Sequence, residues 1–361
     1  MQIDKEKLKS MEDVIKSIDT KLGKGTLIRM GGSTTQKVDI ISTGSIALDY
    51  ALGVWGLPRG RIIECYGPES SGKSAFALHA ISIAQKSGGV CAFLDLEHSL
   101  DMEWCKILGV DTDSLYMSQP DSGEDMFYIL ETLLNSKAID IAVIDSVAAI
   151  LPQSERESDF GEAPMAKTAR LMSQAMRKLT GTINKSNACV IFINQIRKNI
   201  GGYGKSEVTT GGEALKFYSS IRLELRKGEL IKEGEDIIGH TVKAHVVKNK
   251  VAAPFKKAEI PFYYDRGYDN FRSMVDIAAV NNIINKSGTW YAYKEERIGQ
   301  GIKNASKFLA DNPKVYKEIE ESVYKVLGRD RLEEKPKEVK PASKDSKSEV
   351  KDGKSEKSQS S

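Results

Sequence analysis

The sequence predicts an α/β fold, in which helices cover both faces of a twisted, mostly parallel sheet. Between about residues 40 and 264, short apolar runs alternate with longer helical patterns, as strands joined by helical crossovers do. Four runs are almost continuously hydrophobic, which parallel strands buried on both faces require: RIIECYG, VCAFLDLE, IDIAVIDS and ACVIFINQ. Three later runs alternate more and predict an antiparallel extension: SIRLEL, TVKAHVVKN and AEIPFYY.

Smaller segments flank this core, which we place at residues 35–270. Residues 1–34 carry an amphipathic helical pattern, which we interpret as an oligomerisation arm or, alternatively, as a helix packed on its own domain. Residues 271–329 predict a small C-terminal α+β lobe. Residues 330–361 contain nine basic and eight acidic residues and almost no apolar ones, so we expect a disordered tail of mixed charge.

Composition excludes several classes of protein. The net charge of +3 does not by itself indicate a nucleic-acid partner, so any surface that binds nucleic acid must be a local basic patch. The four cysteines form no C-x-x-C pair, which argues against a zinc site or a disulfide framework. No run approaches the length of a membrane-spanning helix, and the N-terminal residues lack the apolar stretch of a signal peptide. We therefore expect a cytoplasmic protein without a membrane partner.

A phosphate-binding loop is predicted in the stretch YGPESSGKSAF, which contains G-x-x-x-x-G-K-S from Gly67 to Ser74. It follows an apolar strand and opens an apolar helix, the context that makes this motif specific. Gly67 and Gly72 allow backbone N–H groups to face phosphate oxygens at a helix N-terminus. Lys73 is expected to reach the β- and γ-phosphates, and the Ser74 hydroxyl is expected to bind Mg²⁺.

Three further polar residues follow apolar strands and complete the predicted nucleotide site. Asp145, at the end of IAVID, is the expected second group at Mg²⁺. Glu97 is the candidate for activating water, on a strand that we expect beside the phosphate-loop strand; Asp95 competes but favours a structural role. Gln195, placed at the tip of a third strand, could detect the γ-phosphate or serve only as a strand-end cap.

The chain resembles the bacterial RecA recombinase family, whether cellular or encoded by bacteriophages. The resemblance spans nearly all of residues 3–328 and includes motifs far more specific than a phosphate loop. They are ISTGSIALDYALG (41–53), GPESSGKS (67–74), FLDLEHSLD (93–101), VIDSVAA (143–149), RLMSQAMRKL (170–179), FINQIR (192–197), TTGGEALKFY (209–218) and VVKNKVAAPFK (246–256). It implies a RecA-like P-loop NTPase core.

The resemblance implies that the chain binds ATP with Mg²⁺ and hydrolyses it. Lys248 and Lys250 match residues that reach the neighbouring subunit's ATP, although KNK in isolation is typical of a solvated basic strand face. The implied catalytic residues are Lys73, Glu97, Gln195, Lys248 and Lys250. The implied ATP-binding residues are Gly67, Pro68, Glu69, Ser70, Ser71, Gly72, Lys73, Ser74, Asp101, Trp104, Asp145 and Tyr264. Ser74 and Asp145 are the implied metal residues. Ser74 stands where a threonine is more usual, and Trp104 where an adenine-stacking tyrosine is typical.

Two glycine-containing stretches, at about residues 155–166 and 196–210, lie beside basic residues and suggest contact with phosphates. The alternative is that they are ordinary surface loops. The resemblance implies that they are DNA-binding loops, at about residues 155–166 and 196–210. The implied DNA-binding residues are Met165, Arg170, Ser173, Arg177, Arg197, Ile200, Thr210, Gly211 and Gly212. Met165 and Ile200 match positions that wedge between base triplets. The second loop is one residue shorter than in common members of the family, and the tail is less acidic.

The resemblance predicts a DNA-dependent ATPase that forms helical filaments on single-stranded DNA and catalyses homologous pairing and strand exchange with duplex DNA. It also implies possible partners: a self-cleaving repressor, and loading or single-strand-binding proteins. Two alternatives stay open from the residues: an ATP-switched filament scaffold that regulates without strand exchange, and a helicase built on the same core fold. The N-terminal helix and VVKNKVAAPFK favour the recombinase over the helicase.

Overall fold

The computed structural model describes residues 4–27, 38–159, 165–198 and 207–329. The helices within these ranges are α1 (Lys5–Leu22), α2 (Ile46–Leu52), α3 (Lys73–Lys86), α4 (Met102–Ile107), α5 (Gly123–Ser136), α6 (Gln153–Arg156), α7 (Met165–Ser186), α8 (Ala214–Tyr218), α9 (Asn270–Val280), α10 (Gly301–Asp311) and α11 (Pro313–Val326). The strands are β1 (Ile40–Ile41), β2 (Leu57–Pro58), β3 (Ile62–Gly67), β4 (Cys91–Asp95), β5 (Leu115–Ser118), β6 (Ile141–Asp145), β7 (Cys189–Lys198), β8 (Glu207–Thr209), β9 (Ile221–Glu233), β10 (Asp236–Asn249), β11 (Lys257–Tyr263), β12 (Gly267–Tyr268), β13 (Asn285–Ser287), β14 (Trp290–Tyr293) and β15 (Glu296–Gln300).

The central sheet has the strand order β12-β11-β10-β9-β3-β7-β6-β4-β5. Strands β9, β3, β7, β6, β4 and β5 run parallel to one another, and β10, β11 and β12 extend the sheet antiparallel. This confirms the predicted α/β fold. One neighbour was predicted wrongly: β4, which leads to Glu97, does not lie beside β3, because β7 and β6 intervene.

Two buried hydrophobic clusters lie on opposite faces of the sheet. Successive side chains of β3 alternate between them, since Ile63 belongs to the cluster under α3 and Ile62 to the cluster under α5 and α7. Every residue of β3, β4 and β6 is buried, as their continuous apolar runs predict. All four cysteines are buried and free.

The C-terminal lobe is a three-stranded sheet, β13-β14-β15, packed with α9, α10 and α11 around a third hydrophobic cluster. This confirms the predicted small α+β lobe. Ile46 and Trp55 of the core belong to the same cluster, so the lobe packs on the region around α2. The ring centroids of Trp55 and Tyr324 are 5.5 Å apart, and the Arg329 guanidinium lies 5.3 Å from the Trp55 ring.

Helix α1 begins after Asp4, whose side chain accepts a hydrogen bond from the Glu6 N–H and caps the helix. Three of its apolar side chains are exposed: Met11, Val14 and Leu22. Residues 1–3 and 28–34 of the predicted arm, and the predicted tail, lie outside the described residues. Within the described ranges, no helix is long and apolar enough to span a membrane.

Candidate functional site

The phosphate loop joins β3 to α3 and closes on itself. The Pro68 carbonyl accepts hydrogen bonds from Ser71 Oγ at 2.8 Å and from Lys73 Nζ at 2.7 Å. A Cβ on Gly67 would lie 2.0 Å from the Leu225 carbonyl oxygen, so only glycine fits there. Gly72 has a φ of 88° and no side chain to cap α3. The first N–H groups of α3 are therefore left for a phosphate.

Ser74 and Asp145 meet beside this loop, where a metal ion is expected. Ser74 Oγ donates to Asp145 Oδ2 at 2.7 Å. Burial raises the pKa of Asp145 to about 6, with further contributions from Glu97 and Asp95. Among the described residues, no cluster of three or more His, Cys, Asp or Glu side chains could hold a metal alone. One hydroxyl and one carboxylate fit Mg²⁺, which takes its remaining ligands from phosphates and water.

Glu97 lies just after β4 and reaches across to β6 and β7. Its Oε1 accepts hydrogen bonds from Gln195 Nε2 at 2.9 Å and from the Ser146 hydroxyl. Gln195 pairs with Gly67 across the sheet, which places it at the phosphate loop. The prediction that Gln195 lies at the tip of a strand is wrong, because β7 continues to Lys198.

A cavity of about 280 Å³ collects these groups. Its lining includes Glu69, Ser70, Lys73, Ser74, Glu97, Asp145, Ser146 and Gln195. Burial lowers the pKa of Lys73, and the nearby carboxylates of Asp145 and Glu97 oppose that shift. The competing Asp95 instead accepts hydrogen bonds from the Leu100 N–H and from Gln119 Nε2, which fits a structural role.

A second cavity, of about 450 Å³, opens on the other side of the loop and is lined by aromatic side chains. Trp104 and Tyr264 both line it, with Phe262, whose ring centroid is 6.1 Å from that of Trp104. Asp101 caps α4 by accepting from the Glu103 and Trp104 N–H groups. Aromatic walls beside a phosphate loop can bind a nucleotide base by stacking.

Lys248 and Lys250 contact α8 of their own protomer. Lys248 Nζ donates to the Lys216 carbonyl at 2.6 Å and to the Phe217 carbonyl at 3.0 Å. Lys250 Nζ donates to the Phe217 carbonyl at 3.1 Å. Lys248 is half-buried, whereas Lys250 is exposed.

The ends of the second predicted DNA loop form a hairpin. Residues 196–198 of β7 pair antiparallel with residues 207–209 of β8. Arg197 is exposed on this hairpin. Gly211 and Gly212 have φ values of 80° and 79° and lead into α8. Ile200 lies outside the described residues.

The exposed face of α7 carries the other described DNA-binding candidates. Arg170 and Arg177 are exposed and lie two turns apart, with Ser173 between them on the same face. Met165 begins α7. The central part of the first loop, residues 160–164, lies outside the described residues.

Sequence reasoning missed Asn194, which links the nucleotide site to the second loop. Asn194 is fully buried and accepts hydrogen bonds from the Thr210 hydroxyl at 2.5 Å and from the Gln195 N–H at 2.9 Å. Its Nδ2 donates to Glu64 at 3.0 Å and to the Thr210 carbonyl at 3.1 Å. The sequence did carry a signal for Asn194, since it is an amide within the apolar run ACVIFINQ. A buried amide needs hydrogen-bond partners, which indicates a specific contact at that position.

Comparison with known proteins identifies the family. Residues 9–269 match the RecA N-terminal domain, and residues 272–328 match the RecA C-terminal domain. The chain is 51% identical over 332 residues to Protein RecA of Campylobacter hominis, covering 91% of this chain and 95% of that protein. It is 52% identical over 324 residues to Protein RecA of Clostridioides difficile, covering 90% and 93%. The chain therefore belongs to the RecA family, the recombinases of DNA recombination and repair.

Proposed function

We propose that the chain is a DNA-dependent ATPase that assembles as a helical filament on single-stranded DNA and exchanges strands with homologous duplex DNA. One observation carries the proposal: a continuous set of hydrogen bonds joins Glu97 to Gln195, Gln195 to Asn194, and Asn194 to Thr210. The first residue lies at the phosphate loop and the last at the base of the second loop. A change in the nucleotide can therefore reach the proposed DNA-binding hairpin through these hydrogen bonds.

ATP hydrolysis to ADP and phosphate is assigned to the cavity around Glu97. Its carboxylate is held by Gln195 and Ser146, so it can accept a proton from a water aligned with the γ-phosphate. Lys73 would bind the β- and γ-phosphates once it leaves the Pro68 carbonyl. Mg²⁺, held by Ser74 with support from Asp145, would neutralise phosphate charge.

DNA binding is assigned to α7 and the β7–β8 hairpin. The two exposed arginines of α7 and Arg197 supply charge that neutralises phosphates, and Gly211 and Gly212 allow backbone to approach closely. None of these features reads base edges. We therefore propose binding that is largely independent of sequence and sensitive to salt.

Assembly into a filament is assigned to α1 and to Lys248 and Lys250. The apolar side chains exposed on α1 suit a neighbouring protomer better than water. The two lysines would reach that neighbour's ATP. We assign residues 1–34 to an oligomerisation arm, 35–270 to the ATPase core, 271–329 to the C-terminal lobe and 330–361 to a mixed-charge tail.

One assay tests the proposal: strand exchange between circular single-stranded DNA and homologous linear duplex, run with ATP, with a non-hydrolysable analogue and without nucleotide. We expect joint molecules with both nucleotides and none without. The control is a duplex of unrelated sequence. If filaments form but joint molecules are absent in every arm, the recombinase assignment is wrong and a regulatory scaffold, acting for example on a self-cleaving repressor, is favoured.

A further inference from the structure

The turn between β4 and α4, which carries Glu97, is held by the side chain of Asp95. Asp95 Oδ2 accepts hydrogen bonds from the Leu100 N–H at 3.2 Å and from Gln119 Nε2 at 3.1 Å. The first bond closes the turn on itself, and the second ties it to the residue that follows β5. Glu97 therefore lies on a segment whose backbone depends on one carboxylate and one amide.

Asp95 is an unfavourable residue for the stability of β4. It is buried at the end of a strand whose other residues are apolar, and its Oδ1 has no hydrogen-bond partner among the described residues. It also pairs across the sheet with Asp145, whose pKa it helps to raise. A buried carboxylate that is only partly hydrogen-bonded destabilises the folded state. Such a residue is typical of a functional site, where stability and activity make opposite demands.

The backbone on both sides of Gln119 places its amide beside Asp95. Leu94 pairs with Ser118 in the parallel register of β4 and β5, so Asp95 and Gln119 are the next residues along the two strands. Pro120 follows and restricts the backbone of Gln119 to an extended conformation. Gln119 is itself exposed, so its replacement tests the contact without disturbing the core.

We propose that Asp95 and Gln119 are positioning residues, which hold the turn so that the Glu97 carboxylate faces the γ-phosphate of ATP. The inference rests on the proposed role of Glu97 in activating water. Glu97 is exposed, and its side chain is held only through Oε1, by Gln195 and Ser146, among the described hydrogen bonds. A displacement of about 1 Å at a reacting group can lower the rate about 10²-fold. The position of the turn therefore bears directly on turnover.

The two ends of the turn are anchored without Gln119. At its start, the Leu96 N–H donates to the Asp145 carbonyl at 2.8 Å. At its end, Leu100 and Trp104 pack against the hydrophobic cluster under α3. Loss of the Gln119 amide should thus displace Glu97, which lies between these anchors, and leave the aromatic cavity beside the phosphate loop in place. This separates an effect on hydrolysis from an effect on nucleotide binding.

The test compares Gln119→Met with Gln85→Met. Each removes one amide hydrogen bond and keeps the length of the side chain; Gln85 Nε2 donates to the Asp111 carbonyl at 2.8 Å, near the end of α3 that is distant from the phosphate loop. We expect Gln119→Met to lower kcat for DNA-dependent ATP turnover about tenfold, with KM for ATP and the midpoint of thermal unfolding unchanged. Gln85→Met should leave kcat unchanged.

Equal kcat in these two variants would overturn the inference. A fall in kcat that accompanies a matching rise in KM, or unfolding at a lower temperature, would indicate a general structural role for Gln119 and would also overturn it.

A second pair of variants tests Asp95 itself. Asp95→Asn keeps an oxygen that can accept from both Leu100 and Gln119, whereas Asp95→Leu accepts neither bond. We expect kcat to be at least about tenfold lower in the leucine variant than in the asparagine variant. Urea unfolding checks that both variants are folded. Equal kcat in the two folded variants would overturn the inference; if the leucine variant does not fold, the comparison at Gln119 decides.

Combination with Glu97→Gln shows whether Gln119 acts through Glu97. If it does, adding Gln119→Met should lower the residual turnover of Glu97→Gln no further, as measured in a single turnover. A further tenfold fall would mean that Gln119 acts by another route and would overturn the inference. If Glu97→Gln alone keeps full turnover, the proposed role of Glu97 is wrong and the inference falls with it. If Glu97→Gln is inactive while Gln119→Met matches Gln85→Met, only the positioning role is wrong.

Discussion

Thr210 donates its hydroxyl hydrogen to Asn194 Oδ1 at 2.5 Å, and Asn194 Nδ2 donates in turn to the Thr210 carbonyl at 3.1 Å. This reciprocal pair joins β7 to the residue that follows β8. Among the described residues, it is the step that carries the hydrogen-bond set from Glu97 out of the nucleotide cavity. It is therefore the natural place to break the coupling.

Thr210→Val should weaken the stimulation of ATP turnover by DNA about fivefold, because it removes one buried hydrogen bond without changing the shape of the side chain. Thr210→Ser, which keeps the hydroxyl, is the matched control. The measurement is the ratio of turnover with and without single-stranded DNA. An unchanged ratio for the valine variant would show that this pair does not transmit the nucleotide state.

Glu97→Gln should lower ATP turnover by about 10²- to 10⁴-fold while nucleotide binding and filament assembly persist. The amide oxygen can still accept hydrogen bonds from Gln195 and Ser146, so the geometry is kept, but it cannot take a proton. Turnover is measured by phosphate release and assembly by electron microscopy. Retained turnover would rule out Glu97 as the general base.

Asp145→Asn should stabilise the metal-free protein at pH 8. Burial raises the pKa of Asp145 to about 6 from a model-peptide value of 3.8, so folding favours the protonated form. This stabilising contribution is complete below the unfolded pKa and disappears as the pH rises through about 6. We expect the variant to gain about 3 kcal/mol at pH 8 and nothing near pH 3.5, by urea unfolding with chelator.

The same substitution should weaken Mg²⁺-dependent nucleotide binding, and Asp145→Glu serves as a charge-preserving control. If the difference in stability between Asp145→Asn and the unmodified chain were the same at both pH values, ionisation of the buried Asp145 carboxylate would not destabilise the folded protein, and the prediction would be wrong. The gain in stability at the expense of binding would be typical of a functional residue.

Trp55→Ala should lower the free energy of unfolding by about 2 kcal/mol, because Trp55 contacts Tyr50, Tyr324 and Arg329 between core and lobe. Trp290→Ala, in the sheet of the lobe itself, is the control. Limited proteolysis should cut between core and lobe faster in the first variant only. Equal cutting would show that this aromatic contact does not hold the lobe.

Deletion of residues 1–27 should leave a folded monomer and abolish filaments. The exposed apolar side chains of α1 contribute little to the core of their own protomer, so thermal unfolding should change little. Filaments are scored by electron microscopy with ATP and single-stranded DNA. Filaments of normal length from the truncated chain would contradict the assignment of α1 to assembly.

Continuous apolar runs were sufficient to predict β3, β4 and β6, because only strands buried on both faces tolerate such sequences. Strand order was not predictable: the expectation that Glu97 follows a neighbour of β3 failed, since order depends on crossovers that leave no local signature. Lys73 and Ser74 could be predicted because they belong to the phosphate-loop motif, and Glu97 because it follows an apolar strand. Phe262 could not, because the antiparallel extension brings it to Trp104 from far along the chain.

The four buried cysteines have a practical consequence for experiments. Burial raises the pKa of Cys65, Cys91, Cys105 and Cys189 above the usual range of a thiol, so very little of the reactive thiolate exists at neutral pH. The native chain should therefore react slowly with maleimides. A single cysteine introduced on the surface, for example at Tyr128, could then carry a fluorophore without removal of the native thiols.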